Sequence, residues 1–214
     1  MKDVLTLYAQ PYNPNRPTVC FDEKSLQLLG LSRPLLPMKP GYPQREDYEY
    51  VRHGTRNIFI FVEPKAGQRH TLVTRRRTKE DFAKAMRYLV DHVYPSVQMI
   101  DVVLDQLNTH TVEAVIEIFG KPEADRVLSR IQFHYTPLHA SWLNMAEIEL
   151  SVATEQCLDR RIPDEWTLIT ELMDWERSRN QQAKPFKWSF DWKCAKRKFL
   201  KPDHPCDEKV TMQN

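Results

Sequence analysis

Three acidic side chains could do chemistry together. Asp22 follows Val19-Cys20-Phe21, Asp105 follows Val102-Val103-Leu104, and polar residues come directly after each. A lone Asp after a strand serves as a turn starter or helix cap as readily as a ligand. Two of them, each delivered by a β-branched or aromatic run, suggest carboxylates brought to one edge of a sheet. Neighbouring carboxylates resist joint ionisation, and a divalent cation reverses that penalty. Hard oxygen donors suit Mg²⁺ or Mn²⁺, held by few carboxylates plus water and substrate phosphate. The stretch 141–158 offers a third ligand among Glu147, Glu149 and Glu155. In it Leu143, Ala146, Leu150, Ala153 and Cys157 alternate three- and four-residue steps, the core stripe of a helix. Asn144, Glu147, Ser151 and Thr154 form a polar strip on one flank, and Glu149 lies on the other among Trp142, Met145 and Val152. Glu147 is therefore preferred, against the reading that it is a solvated helix residue.

The elements that must position these groups can be read in order. Residues 1–17 form a lead-in segment, and Val19 to Phe21 a brief strand ending at Asp22. Four prolines between Leu31 and Pro43 imply an extended connector. Ile58 to Val62 reads as a strand buried on both faces, Pro64 to Gly67 as a turn, and His70 to Thr74 as the returning strand. Thr78 and Asp81 have capping-box spacing, and Phe82, Ala85, Met86, Leu89, Val90 and Val93 continue a helical stripe until Pro95. A strand over Met99 to Asp105, short helices over 111–119 and 122–130, and a strand over Ile131 to Tyr135 come next. Helices over 141–158 and 164–180 follow, with Ser141 as the expected N-cap of the first. The result is an α/β architecture, a mixed sheet flanked by helices. Sites in such sheets lie at the carboxyl ends of strands, where two candidate strands end in Asp.

Composition narrows the class. Hydrophobic residues make up 41% and charged residues 28% of 214 residues, as in a folded globular protein. Apolar runs are far shorter than the roughly 20 residues a membrane helix needs, so no membrane partner is expected. Cys20, Cys157, Cys194 and Cys206 show no CxxC spacing, which suggests reduced thiols. None of His134, His139, Cys157 and His204 has the paired spacing of a structural zinc site. Net charge is only +2, but Arg75, Arg76 and Arg77 are contiguous and Lys193 to Lys201 holds five basic residues. Clustered cations on a near-neutral protein can form a phosphate-binding stripe or simply a solvated surface.

Several longer motifs carry a resemblance. They are VCFDEKSLQLL at 19–29, YEYVRHGTRNIFIFVEPKAGQRH at 48–70, LDQLNTH at 104–110, FHYTPLHASWLNMAEIELSV at 133–152 and QCLDRRIPD at 156–164. Over about residues 1–182 the chain resembles the catalytic domain of DDE transposases, in the bacterial insertion-sequence group related to mariner elements. The resemblance implies a ribonuclease H-like fold for residues 18–182, with 183–214 as a basic, aromatic extension. It places the family's acidic triad on Asp22, Asp105 and Glu147, the residues already selected. Gln106 stands where the family usually has Asn, and Leu138 where a basic residue is common.

The implied activity is metal-dependent DNA cleavage and strand transfer, with Mg²⁺ or Mn²⁺, two ions in all. Asp22, ending the central strand, would bridge them, with Asp105 on one ion and Glu147 on the other. The implied partners are element ends and target DNA, with a possible homodimer. The helix-turn-helix domains that read element ends in this family are absent, so they are expected as separate or missing parts. A truncated, non-catalytic remnant that binds DNA or a full-length transposase is the alternative. The implied location is the bacterial cytoplasm, on the nucleoid when DNA is bound. Asn108 and His110 are expected to brace the loop after Asp105 through backbone hydrogen bonds, with contact of His110 to the site or to DNA as the alternative. His139, Trp142 and Asn144 open the Glu147 helix, with Trp142 packing rather than stacking on a base. Arg52, Arg75, Arg76 and Arg77 are candidates for phosphate contacts, which position DNA without reading its sequence.

Overall fold

A computed structural model describes residues 1–34, 38–41 and 48–200, with Leu200 described in its backbone alone. Pro37 and Pro43 of the expected connector, and His204 and Cys206, lie outside the described residues. In chain order the elements are α1 (Lys2–Ala9), β1 (Thr18–Leu31), β2 (Tyr50–Glu63), β3 (Gln68–Thr74), α2 (Lys79–Tyr88), β4 (Ile100–Leu104) and α3 (Val112–Phe119). Then come α4 (Lys121–Leu128), β5 (Ile131–Tyr135), α5 (Met145–Ala153), α6 (Glu165–Gln182) and α7 (Trp192–Leu200). Single π-helical turns extend α2 over Leu89–Val93 and α5 over Thr154–Leu158.

The five strands lie in the order β3-β2-β1-β4-β5. β1, β2 and β3 pair antiparallel, and β4 runs parallel to both β1 and β5. Alternation along β1 sends successive side chains to opposite faces. Cys20 joins the core formed with α1, α5 and α6, whereas Val19 and Phe21 join the core under α2, α3 and α4. On that second face Phe21 packs edge-on against Phe59 and Phe82 at 5.5 and 5.7 Å. The capping box of Thr78 and Asp81 forms as its spacing predicts.

Three expectations are corrected. β1 does not end at Asp22 but continues to Leu31, because β2 pairs with it far beyond that point. The lead-in is part of the core, since Val4, Leu5, Leu7 and Tyr8 of α1 are buried. The cysteines are not all reduced: Cys20 and Cys157 are free, whereas Cys194 is disulfide-bonded.

The segment after α6 returns to the sheet. Phe186 N–H donates to Pro64 O at 2.9 Å, and Phe186, Trp188, Phe190 and Trp192 pack on the α1 and α5 core. Gly67 makes this possible. Its φ is +65°, and a Cβ there would meet the Ala183 and Lys184 backbone at 2.6 Å.

Candidate active site

The register of the parallel pair brings the two aspartates together. β1 and β4 align Thr18 with Asp101, Val19 with Val102 and Cys20 with Val103. Carried two residues further, the same register sets Asp22 level with Asp105. β4 stops at Leu104, so Asp105 leaves the sheet there while β1 carries Asp22 onward beside β2, opposite Ile60. Asp22 therefore stands at the carboxyl edge of its parallel neighbour although it sits inside its own strand.

Helix α5 supplies the third carboxylate. Ser141–Leu143 forms a 3₁₀ turn, and the N-cap is Asn144 rather than the expected Ser141. Asn144 Oδ1 accepts from Ala146 N–H at 3.2 Å, while its Nδ2 donates to Phe21 O at 2.8 Å. One buried side chain thus caps α5 and ties its first turn to the backbone beside Asp22. Glu147 follows three residues later and is exposed, whereas Glu149 is fully buried. Glu149 pairs with Arg69 at 2.9 Å and Arg179 at 3.0 Å, which ties α5 to β3 and α6.

The electrostatics follow from this crowding. Burial, above all, pushes the Asp22 carboxyl up to about 7, and the charges of Glu23, Asp105 and Glu147 add to it. A hydrogen bond from Glu23 N–H to Asp22 Oδ1, 2.8 Å long, pulls the other way. All three candidate donors are hard carboxylate oxygens, and a divalent cation would relieve the repulsion between them. Among the described residues no three His, Cys, Asp or Glu side chains are gathered closely enough to hold a metal ion as they stand. A cation would have to draw the carboxylates in.

His110 braces the loop through its backbone and also touches Asp105 through its side chain. Its side chain meets Asp105 Oδ1 at 2.6 Å through Nδ1 and lies 3.0 Å from Glu23 Oε2 through Nε2. The second contact is at ion-pair distance without hydrogen-bond alignment. Burial pulls the imidazolium down, but the hydrogen bond to Asp105 and the close charge of Glu23 outweigh it and hold the ring up to about 9. Glu23 was not singled out in the sequence. Only its position after Asp22, on the opposite face of β1, hinted at it.

Gln106 donates to Thr136 O at 3.1 Å, bridging the loops that follow β4 and β5. Asn108, Leu138 and His139 are exposed, and His139 adopts a left-handed backbone with φ 61°. Trp142 packs as expected, stacked 6.5 Å from Trp188 and edge-on to Phe190 at 5.3 Å. Arg77 lies 3.9 Å from Glu23 and Arg75 lies 3.8 Å from Glu165, and Arg76 is exposed beside them. Arg52 stands apart, stacked over Tyr50 on the exposed part of β2. His134 is engaged elsewhere, between Asp3 and Asp101 at 2.7 and 3.0 Å.

Residues 17–169, well over half of the chain, match the family described as DDE superfamily endonuclease. No curated protein matches the chain. The fold is similar to the crystal structure of the Mos1 mariner paired end complex with Mn, at TM-score 0.55 and 15% identity, covering 82% of this chain and 52% of that one. It is similar also to the Mos1 strand transfer complex, at TM-score 0.56 and 14% identity, covering 84% and 52%. The chain thus spans about half the length of these structures, and at such identities the likeness is one of fold.

Proposed function

The chain belongs to the DDE superfamily of endonucleases, and from that premise we propose that it is the catalytic domain of a transposase. It cuts DNA phosphodiester bonds and joins a freed 3′-hydroxyl to target DNA. The observation that carries this reading is the convergence of two carboxylates from other elements on Asp22. Asp22 feels the charges of both Asp105 and Glu147, and its carboxyl stands up to about 7.

In this reading Asp22, Asp105 and Glu147 hold Mg²⁺ or Mn²⁺. Asp22, on the central strand β1, would be the ligand shared by two ions. Ions bound there would activate the attacking hydroxyl and stabilise the leaving oxygen. The protein's part is placement. Asn144 sets the start of α5 against β1, the Arg69–Glu149–Arg179 cluster fixes the helix from behind, and His110 holds one oxygen of Asp105. Arg77, at the edge of this group, and Arg75 and Arg76 beside it serve as phosphate contacts that position the duplex. Arg52 makes a further such contact from the exposed part of β2. With water as nucleophile the centre cleaves, and with a DNA 3′-hydroxyl it joins.

The catalytic unit is 18–182, with α1 completing its core and Phe186, Trp188, Phe190 and Trp192 covering one side. The similar Mos1 structures are a paired end complex and a strand transfer complex, which supports element ends and target DNA as partners. A homodimer and separately supplied end-reading domains complete the proposal, together with a place on the bacterial nucleoid. No described helix is long and apolar enough to cross a membrane.

The test is nicking of element-end duplex in Mg²⁺ or Mn²⁺, with end-reading domains added in trans. Wild type is expected to nick, and Asp22→Asn, Asp105→Asn and Glu147→Gln to lose the activity. Equal nicking by wild type and Asp105→Asn would contradict the reading.

A further inference from the structure

Asp22 and Glu23 are adjacent on β1, so their side chains leave the strand on opposite faces. Glu23 enters the core under α2 and α3, where its side chain is only 3% exposed. Burying a carboxylate is costly unless it is paired. Its partner there is His110, itself 2% exposed, whose Nε2 lies 3.0 Å from Glu23 Oε2. The other ring nitrogen binds Asp105 Oδ1 at 2.6 Å. Both nitrogens of one buried imidazole are therefore spent on carboxylates, one of them a candidate metal ligand.

The ring cannot turn away. Phe82 stacks on it at 4.9 Å and Phe21 meets it edge-on at 5.3 Å. The His110 backbone is fixed as well, since its N–H donates to Leu107 O at 2.9 Å and its carbonyl accepts from Tyr135 Oη at 2.9 Å. Arg77 approaches the other oxygen of Glu23 at 3.9 Å from the solvent side. With Oδ1 held by His110, Asp105 has Oδ2 left, which makes no hydrogen bond or ion pair among the described residues.

We propose that Glu23 and His110 are positioning residues that act as a strut, presenting a single oxygen of Asp105 to the metal. The proposal rests on Asp105 being a metal ligand, as put forward above. Glu23 touches neither metal nor DNA and acts through His110, and His110 acts through Asp105. Removing the outer partner of a metal ligand costs about 10- to 100-fold in metal affinity, and the strut assigns that effect to a residue on the far face of β1.

The experiment uses the full chain and reads Mn²⁺ binding by titration calorimetry, the Mn²⁺ concentration for half-maximal DNA nicking, and thermal unfolding. The variants are Glu23→Gln, His110→Gln and Asp105→Asn. Glu23→Gln keeps the side-chain shape and is expected to weaken Mn²⁺ binding by about 10-fold or more. The Mn²⁺ requirement for nicking should rise in parallel, and saturating Mn²⁺ should restore the maximal rate. His110→Gln, which can still reach Glu23 but not Asp105, should give the same shift and serves if Glu23→Gln fails to fold. Unchanged Mn²⁺ affinity in the folded variants, even with a lowered unfolding temperature, would reduce the pair to a core brace and overturn the strut. Asp105→Asn separates the two claims. If it alone abolishes Mn²⁺ binding, only the strut fails. If it leaves Mn²⁺ binding intact, the ligand reading fails and the strut falls with it.

Discussion

Neutralising Asp22 should stabilise the metal-free protein, and by an amount that depends on pH. Its carboxyl stands at about 7 against an ordinary 3.8, chiefly through burial. The folded state therefore keeps a proton that the unfolded chain releases between these values. Stability is fullest below about pH 4 and is lost as pH rises through about 7. At about 1.4 kcal/mol per pH unit, the displacement corresponds to a ceiling of about 4 kcal/mol. Asp22 keeps some contact with solvent, which screens part of the effect, so about 2–4 kcal/mol is expected. Asp22→Asn has the shape of the protonated acid without its titration. Urea unfolding in the presence of a chelator should show the variant more stable than wild type by that amount at pH 8, and nearly equal to it at pH 4. His110 titrates near 9 in both proteins and cancels in the comparison. Adding Mg²⁺ at pH 8 should close the gap by stabilising wild type alone. Equal stability of the two proteins at pH 8, or a less stable variant, would show that Asp22 is not a buried carboxyl crowded by other charges.

Other perturbations test the scaffold. Glu149→Ala leaves Arg69, 1% exposed and unable to shed its charge, without its carboxylate, and should cost about 3–5 kcal/mol by urea unfolding. Asn144→Ala removes the cap of α5 and the donor to Phe21 O, for about 2 kcal/mol in the same assay, with a larger proportional loss of nicking because α5 also carries Glu147. Arg77→Gln should weaken DNA binding and reduce the slope of log affinity against log salt by about one, measured by fluorescence anisotropy across a salt series.

Local signals made much of this fold legible. The Thr78 and Asp81 cap, the stripe of α2, the run ending in Asp105 and the flank that exposes Glu147 all depend on residues within a few turns of one another. What escaped depends on distant partners. The polar run after Asp22 looks like the end of a strand, yet β2 extends β1 to Leu31 by backbone pairing that side-chain patterning does not reveal. Ser141 has the chemistry of a cap, but Tyr8 Oη binds Leu143 O at 2.7 Å and Trp188 stacks on Trp142, and the cap falls on Asn144. Glu149 resembled a flank residue until α6 and β3 supplied two arginines. Glu23 and His110 lie far apart in sequence, and the core between β1 and the loop after β4 brings them together.

In the proposed function Asp22, Asp105 and Glu147 form one metal centre. Crystals of the full chain soaked in Mn²⁺ and measured for anomalous scattering test it most directly. A peak coordinated by Asp22 together with Asp105, Glu147 or both is expected, and its loss in Asp22→Asn. A well-occupied peak elsewhere, such as at Asp3, His134 and Asp101, with none at Asp22, would contradict it.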